Sequence, residues 1–249
     1  MIELQHISKV FNKGKVNEVT ALNDVSLTIN KEDFLVIVGS NGSGKTTLLN
    51  IIAGAEFSSN GKVLIENINV SRLQEYKRSR WIARVFQNPL SGTASELSIL
   101  DNFRLAAIRT SKKKLTIGVN ETFKKEVKDK IAGLGMGLEN KIEQQMGTLS
   151  GGQRQALTLL MSVMDDAKIL LLDEPTAALD PRSASIILET ANSLIKQYHL
   201  TAIMITHNLK EARQYGTRLI QMGEGKVLRD LQSAEKQSLQ LQDIFEWFN

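Results

Sequence analysis

An apolar run at residues 34–38 ends in Gly39-Ser40-Asn41-Gly42-Ser43-Gly44-Lys45-Thr46, and an amphipathic stretch over residues 45–53 follows at once. Strand, glycine-rich turn and helix in that order mark a buried parallel strand feeding a crossover, which commits the chain to α/β layers. The eight residues satisfy G-x-x-x-x-G-K-[ST] in the context that gives the pattern its meaning. Glycines let the backbone fold back so that successive N–H groups point at an anion, and the helix adds its positive dipole end. Lys45 would then reach the β and γ phosphates of a nucleotide, and Thr46 would ligate Mg2+. The alternative for the segment is a plain glycine-rich turn.

A second apolar run, residues 169–172, ends in Asp173-Glu174. A strand of that kind lies inside a sheet, so its last residues emerge at the carboxyl edge, where the phosphate loop also opens. Asp173 is placed to hold Mg2+ through water, and Glu174 to orient or deprotonate an attacking water. Phosphoryl transfer mainly needs positioning and charge neutralisation, so these few groups suffice. On its own, such a pair is more often a helix cap or a surface pair than a catalytic dyad; its coupling to Lys45 points to chemistry.

Around these elements the chain is organised as one α/β domain. Residues 2–10 and 21–29 read as strands joined by a polar turn, an antiparallel β part at the N-terminal end, and residues 62–65 as another short strand. Lysine-rich, helix-periodic stretches at 97–109 and 121–134, followed by Gly133, Gly135 and Gly137, predict an inserted α-helical subdomain over residues 88–148. Strands return at 202–205 and 218–222, alternating with helical patterns at 153–164 and 183–198, so the second half is βα alternation on a parallel sheet. Residues 1–87 and 149–249 then form the core. Leu239, Leu241, Ile244, Phe245 and Phe248 fall at helical spacing beside Trp247, which fits packing on the chain's own domain or contact with a partner.

Composition removes several classes. No apolar run approaches the ~20 residues of a spanning helix, and the opening residues lack the apolar core of a signal peptide, so a cytosolic protein is expected. The absence of cysteine excludes disulfides, thiolate metal sites and a cysteine nucleophile. Thirty-one Lys and Arg against 27 Asp and Glu give only +4, too mild an excess to point to nucleic acid, and Lys112, Lys113 and Lys114 read as a solvated loop or helix edge.

Between the two phosphate-site elements stands Leu149-Ser150-Gly151-Gly152-Gln153-Arg154-Gln155, and with it the sequence resembles the ATP-binding-cassette (ABC) ATPases. The resemblance covers essentially the whole chain. It includes the phosphate loop, Gln87 after Val85-Phe86, the Leu-Ser-Gly-Gly-Gln signature, Asp173-Glu174, Ala178-Leu179-Asp180, and His207 after a strand, all in the family's order. It implies ATP and Mg2+ as ligands, with residues Gly39 to Thr46 and Thr47 around the phosphates and Thr46, Gln87 and Asp173 toward the metal. It also implies a head-to-tail dimer with a second copy, in which ATP lies between one phosphate loop and the other chain's Ser150, Gly151, Gly152 and Gln153. The residues give that arrangement a reason, because Ser150 to Gly152 precede a helix beginning near Gln153 and so make a second anion-binding N-terminus. By the same matching Glu174, Gln87 and His207 are catalytic, His207 meeting the γ phosphate and Gln87 sensing it. Asp180 couples the two sites, and Phe11 stacks under adenine; core filling is the other reading of Phe11.

Most cassettes of this family energise transport, so the resemblance implies a separate polytopic membrane permease, a place at the cytoplasmic face of the membrane, and an extracytoplasmic substrate-binding protein. Gln87-Asn88-Pro89-Leu90, the segments 134–140 and 153–161 and the tail 235–248 resemble the branch of tryptophan/tyrosine-type or uncharacterised-substrate importers, which makes an aromatic amino acid the expected cargo. Members of that branch often carry His where Pro175 stands here, a departure toward the general pattern that leaves the ATPase chemistry intact. A non-transport cassette, a lipoprotein-release or export ATPase, and a catalytically silent binding module are the alternatives. The first usually carries coiled-coil insertions or tandem cassettes, absent here; the second shares every motif; the third conflicts with the presence of Lys45, Asp173, Glu174 and His207.

Overall fold

The computed structural model describes residues 1–109 and 118–248; Lys112, Lys113 and Lys114 lie outside the described residues. The chain opens with strands β1 (Ile2–Phe11), β2 (Val19–Ile29) and β3 (Phe34–Gly39), then helix α1 (Lys45–Ala53), β4 (Asn60–Ile65), β5 (Ile68–Asn69), α2 (Glu75–Arg78) and β6 (Ile82–Val85). Helices α3 (Ile99–Ala107) and α4 (Glu121–Ala132) precede a 3-10 turn at Met146–Thr148 and α5 (Gly151–Ser162). Next come β7 (Ile169–Asp173), α6 (Pro181–Gln197), β8 (Thr201–Ile205), α7 (Leu209–Gln214), β9 (Arg218–Gly223) and β10 (Lys226–Leu231), and the chain closes on α8 (Ser233–Ser238) and α9 (Leu241–Glu246). Two compact units result, Met1–Arg78 with His199–Asn249, and Ser79–Tyr198.

In the first unit β1 is the hub of an antiparallel sheet, pairing Ile2 with Ile29 of β2 and with Ile65 of β4. Ile2, Leu4, Ile7, Leu22, Val25, Leu27, Ile29, Val63 and Ile65 are all buried, so the alternation read from the sequence is the face of this sheet turned to the core. The same unit carries a mainly parallel set in which β3 pairs with β8 on one side and β9 on the other. Every residue of β3 and β8 is buried, which is what a strand covered on both faces requires and why both read as unbroken apolar runs. β10 adds an antiparallel edge to β9; its Lys226, Arg229 and Asp230 are exposed, and charge on an edge strand discourages pairing with another chain.

Arg78 shows how the phosphate-loop helix is fixed from behind. It is 1% exposed, and its guanidinium donates to the carbonyls of Ile51 at 2.6 Å, Ile52 at 2.9 Å and Leu73 at 2.8 Å. It thus closes two of the last carbonyls of α1, which lack partners within the helix. Burial pulls the guanidinium down to about 10.

The C-terminal stretch packs on its own unit through Ile244, fully buried, and through Trp247, whose carbonyl accepts from Gln221 Nε2 at 2.9 Å and whose ring lies 5.0 Å from the Arg229 guanidinium. Phe245 and Phe248 remain 51% and 40% exposed. Lys236 ties α8 down by donating its ammonium to the carbonyls of Tyr215 and Gly216, and burial lowers it from the ordinary 10.5 to about 8. Between about pH 8 and 10.5 the unfolded chain therefore binds more protons than the folded one, so this group makes stability rise with pH across that window. Denaturant midpoints measured against pH should rise less steeply there for Lys236→Met than for the wild type; parallel curves would contradict the assignment.

In the second unit β6 and β7 run parallel, in register from Ile82↔Ile169 to Val85↔Leu172. Helix α3 is capped by Ser98, which accepts from Asp101 N, and α4 by Asn120, which accepts from Phe123 N. Helix α5 packs along α6, and its residues from Arg154 to Ser162 are all buried.

Candidate active site

In the first unit, the loop after β3 is shaped by its glycines. Gly44, with φ 98, precedes α1 in a left-handed conformation, and a Cβ there would meet Ala21 O at 2.5 Å, so glycine is required on both counts. Because Gly44 brings no side chain, the first turn of α1, Lys45, Thr46 and Thr47, has no side-chain cap, and its N–H groups are the donors a phosphate would take. Lys45 is 6% exposed and its Nζ lies among the loop's own acceptors, 2.8 Å from Gly39 O, 2.9 Å from Ser40 O and 3.4 Å from Ser43 Oγ. The ammonium is thus held in the concavity that Gly39, Ser40, Asn41, Gly42 and Ser43 enclose.

β8 leaves the sheet beside this loop. Ile37 and Ile205 are paired in parallel, so the turn at Gly39 and the exposed His207, each two residues further on, emerge at the same sheet edge. The His207 backbone is fixed by its neighbours: Thr206 Oγ1 donates to Glu211 Oε2 at 2.6 Å and accepts from Asn208 N at 3.1 Å, while the Asn208 side chain caps α7. Phe11, at the end of β1, is half-buried and not part of the buried core, and Lys9 Nζ lies 4.6 Å from its ring centroid.

The second unit repeats the geometry. Val85 and Leu172 are paired, so Gln87 and Glu174, each two residues beyond, leave β6 and β7 side by side; Gln87 Nε2 donates to Glu174 Oε2 at 3.1 Å. Glu174 has φ 46, a left-handed conformation that a glutamate adopts only at a cost of order 1–3 kcal/mol when its surroundings hold it there. Gln155 of α5 does that holding. It is 1% exposed, and its amide donates to Phe86 O at 3.0 Å and Pro175 O at 3.3 Å, the carbonyls flanking Gln87 and Glu174. Asp173 is paired with Arg84, Nη2 to Oδ2 at 2.9 Å.

Helix α5 begins at Gly151, two residues earlier than the sequence spacing suggests, with Ser150 as its N-cap. Ser150 Oγ accepts from Gln153 N at 3.3 Å and Gln153 Oε1 from Ser150 N at 3.1 Å, a capping box that puts the two glycines inside the first turn. Their N–H groups are still helix-end donors, and the Ser150 hydroxyl, having accepted one hydrogen bond, keeps its own proton to donate. The two glycines differ. A Cβ on Gly152 would lie 2.9 Å from Ser183 Cβ, so α6 demands a glycine there, whereas a Cβ on Gly151 would make an ordinary 3.7 Å contact with Leu179. Asp180 caps α6, accepting from Arg182 N at 3.1 Å and Ser183 N at 3.0 Å, and Ser183, through its hydroxyl and its N–H, holds that carboxyl below the usual range.

The residues expected toward Mg2+ present hard oxygens, the Thr46 hydroxyl, the Gln87 amide carbonyl and the Asp173 carboxylate, which is the donor set this ion prefers. Gln87 uses its NH2, not its carbonyl, toward Glu174, and Arg84 takes one oxygen of Asp173, Oδ2. The Thr46 hydroxyl in the first unit, and the Gln87 and Asp173 oxygens in the second, each have the chemistry the ion takes.

Comparison with known proteins follows the same lines. The family model described as ABC transporter matches residues 22–177, well over half of the chain. The chain belongs to this family, as an ABC ATPase cassette. The tyrosine transport ATP-binding protein of Clostridioides difficile (strain R20291) is 36% identical over 255 residues, covering 100% of this chain and 98% of that protein. The phosphonates import ATP-binding protein PhnC of Lactobacillus acidophilus is 33% identical, covering 92% of this chain and 88% of its own length. Among solved structures, the dimeric post-hydrolysis state of the ATP-binding cassette MJ0796, bound to ADP and Pi, superposes with a TM-score of 0.80 at 28% identity, over 94% of this chain and 99% of that one. As in such cassettes, an antiparallel sheet accompanies a mainly parallel one, and no helix among the described residues is long and apolar enough to cross a membrane.

Three side chains of the cassette's site carry no motif of their own. Gln155 follows the signature by two residues and is the visible one in hindsight, a polar residue at an inward position of a buried helix. Arg84 interrupts the apolar run of β6, and Ser183 sits opposite Gly152. Their partners are 89, 69 and 31 residues away for Arg84–Asp173, Gln155–Phe86 and Ser183–Gly152, so only the fold reveals them.

Proposed function

We propose that this chain is the ATP-binding and ATP-hydrolysing subunit of a bacterial ABC importer, working on a separate polytopic permease for a small organic solute such as an aromatic amino acid. The observation that carries the reading is the Gln87–Glu174 pair at 3.1 Å, with Glu174 held at φ 46 by the two bonds of the buried Gln155. A carboxylate fixed at a strand end beside an amide suits the orientation of one water for in-line attack on a γ phosphate. Lys45 and the N–H groups of Gly42 to Thr47 bind the phosphates, Phe11 stacks on the base, and His207 contacts the γ phosphate. Thr46, Gln87 and Asp173 would hold Mg2+, which when bound would supply neutralisation of phosphate charge.

The site is completed by a second copy in head-to-tail arrangement, which brings Ser150, Gly151, Gly152 and Gln153 to the γ phosphate and Asp180 toward the other site. Gly151 supports this, since no contact among the described residues requires a glycine there and a bare N–H at a helix start suits close approach of an anion. Residues 88–148 act as the helical subdomain that passes dimer closure to the permease, and residues 1–87 and 149–249 as the core. ATP favours the closed dimer and product release the open one, so the ligand's preference for one state drives the cycle. The protein then sits at the cytoplasmic face of the membrane, held by its permease and served by an extracytoplasmic substrate-binding protein. The tyrosine relative supports an aromatic cargo, and the phosphonate relative shows how far cargo varies among cassettes this similar.

The test is capture from gently solubilised host membranes with a tagged Glu174→Gln chain and Mg-ATP, read by mass spectrometry. A polytopic permease together with a substrate-binding protein is the expected result, and supplies the protein on which to screen aromatic amino acids. A permease without a binding protein would favour lipoprotein release or export, and recovery of soluble DNA or ribosome factors alone would overturn transport.

A further inference from the structure

Arg84 of β6 stands directly across from Leu171 of β7. Side chains on a strand alternate, so the next residue on that face of β7 is Asp173, on the diagonal from Arg84. The guanidinium spans that diagonal, Nη2 to Asp173 Oδ2 at 2.9 Å, with the two side chains 11% and 9% exposed. Phe86, the residue after the end of β6, lies beneath it with its ring centroid 4.6 Å from Cζ. The far side of Arg84 borders a cavity of about 400 Å³ that Asn102, Arg109 and Thr158 also line.

We infer that Arg84 is a positioning residue which fixes the rotation and tempers the charge of the Asp173 carboxylate where it meets Mg2+. The inference rests on the proposed role of Asp173. A buried carboxylate needs a countercharge, but a guanidinium close to a divalent-cation site also repels that cation. Geometry shows what is gained: a planar ion held on an aromatic face takes Oδ2 from a fixed direction, so the carboxylate cannot pivot and Oδ1 keeps one orientation. Removing the positive charge should therefore act in two opposite directions. Attraction for the cation rises, because Asp173 regains its full charge, and turnover falls, because the carboxylate is free to rotate. A residue that merely held the fold together would lower both.

The experiment measures nucleotide affinity in EDTA and in Mg2+, in a Glu174→Gln background so that no ATP is consumed, with kcat measured separately in chains that retain Glu174. The ratio of the two affinities reports the coupling between cation and nucleotide. For Arg84→Met the affinity in EDTA should stay within about twofold of wild type, the gain produced by Mg2+ should grow about tenfold, and kcat should drop about tenfold. Arg84→Lys, which keeps the charge, should return the Mg2+ gain to the wild-type value while kcat stays low. A folded Arg84→Met chain whose Mg2+ gain equals or falls below that of wild type would overturn the inference, and Arg84→Gln removes the same charge if the methionine variant does not fold. Asp173→Asn separates the two levels. If it keeps the full Mg2+ gain, the role proposed for Asp173 itself fails; if it loses the gain while Arg84→Met shows no increase, only the role of Arg84 fails.

Discussion

Glu174→Gln is expected to bind ATP as the wild type does, to lose turnover by a factor of about 100 or more, and to accumulate as an ATP-bound dimer. The reason is local. Glutamine keeps the size of the side chain and can still meet Gln87, now 3.1 Å from Glu174 Oε2, and it occupies the same left-handed backbone position, pinned by Gln155 through Phe86 and Pro175. Only the charge that orients and polarises the water is removed, while the phosphate loop in the other unit is untouched. Single-turnover hydrolysis and sizing in Mg-ATP check it together. Near-normal hydrolysis by the variant would show that another group positions the water.

Lys45→Ala is expected to fail one step earlier, with nucleotide affinity down by about 100-fold. The ammonium is buried, and its bonds to Gly39 O and Ser40 O place it in the loop's concavity. Alanine removes both the charge that phosphate oxygens would meet and two of the bonds that hold the loop's own carbonyls. Lys45→Arg keeps the charge but brings a larger planar head into a loop shaped for a compact one, so it should recover part of the affinity at most. Titration with a fluorescent nucleotide reads both variants, and unchanged binding by folded Lys45→Ala would remove the phosphate role from this loop.

What the sequence revealed follows from how local each signal is. β3, the glycine loop and α1 were legible because an unbroken apolar run, a glycine pattern and a helical stretch are contiguous, and α1 runs Lys45–Ala53 as read. β7 was legible for the same reason. β6 was not, being four residues long and interrupted by Arg84, and β10 was not, because an exposed edge strand carries charge where an apolar pattern would be sought. Helix α5 starts two residues before the point the sequence suggests, because Gly151 and Gly152 favour a loop by propensity. In the first turn of a helix that propensity matters little, and Ser150 with Gln153 three residues on was the better signal. Gln155 is legible as a polar residue on an inward helix face, but the partners of Arg84, Gln155 and Ser183 are not, since each depends on which distant carbonyl, carboxylate or glycine the fold brings alongside.

The measurement that bears most directly on the composite site mixes two inactive chains. Lys45→Ala retains a working signature but no phosphate loop, and Gly151→Asp retains the loop but places a negative charge where the partner's phosphate would lie, at a position with room for a side chain. Each alone should be inactive. Mixed in equal amounts, half the dimers should be hybrids with one intact site of two, giving about a quarter of wild-type ATPase activity. Chains that form hybrids yet recover no activity, or a Gly151→Asp chain fully active by itself, would contradict a site shared between one chain's phosphate loop and its partner's signature.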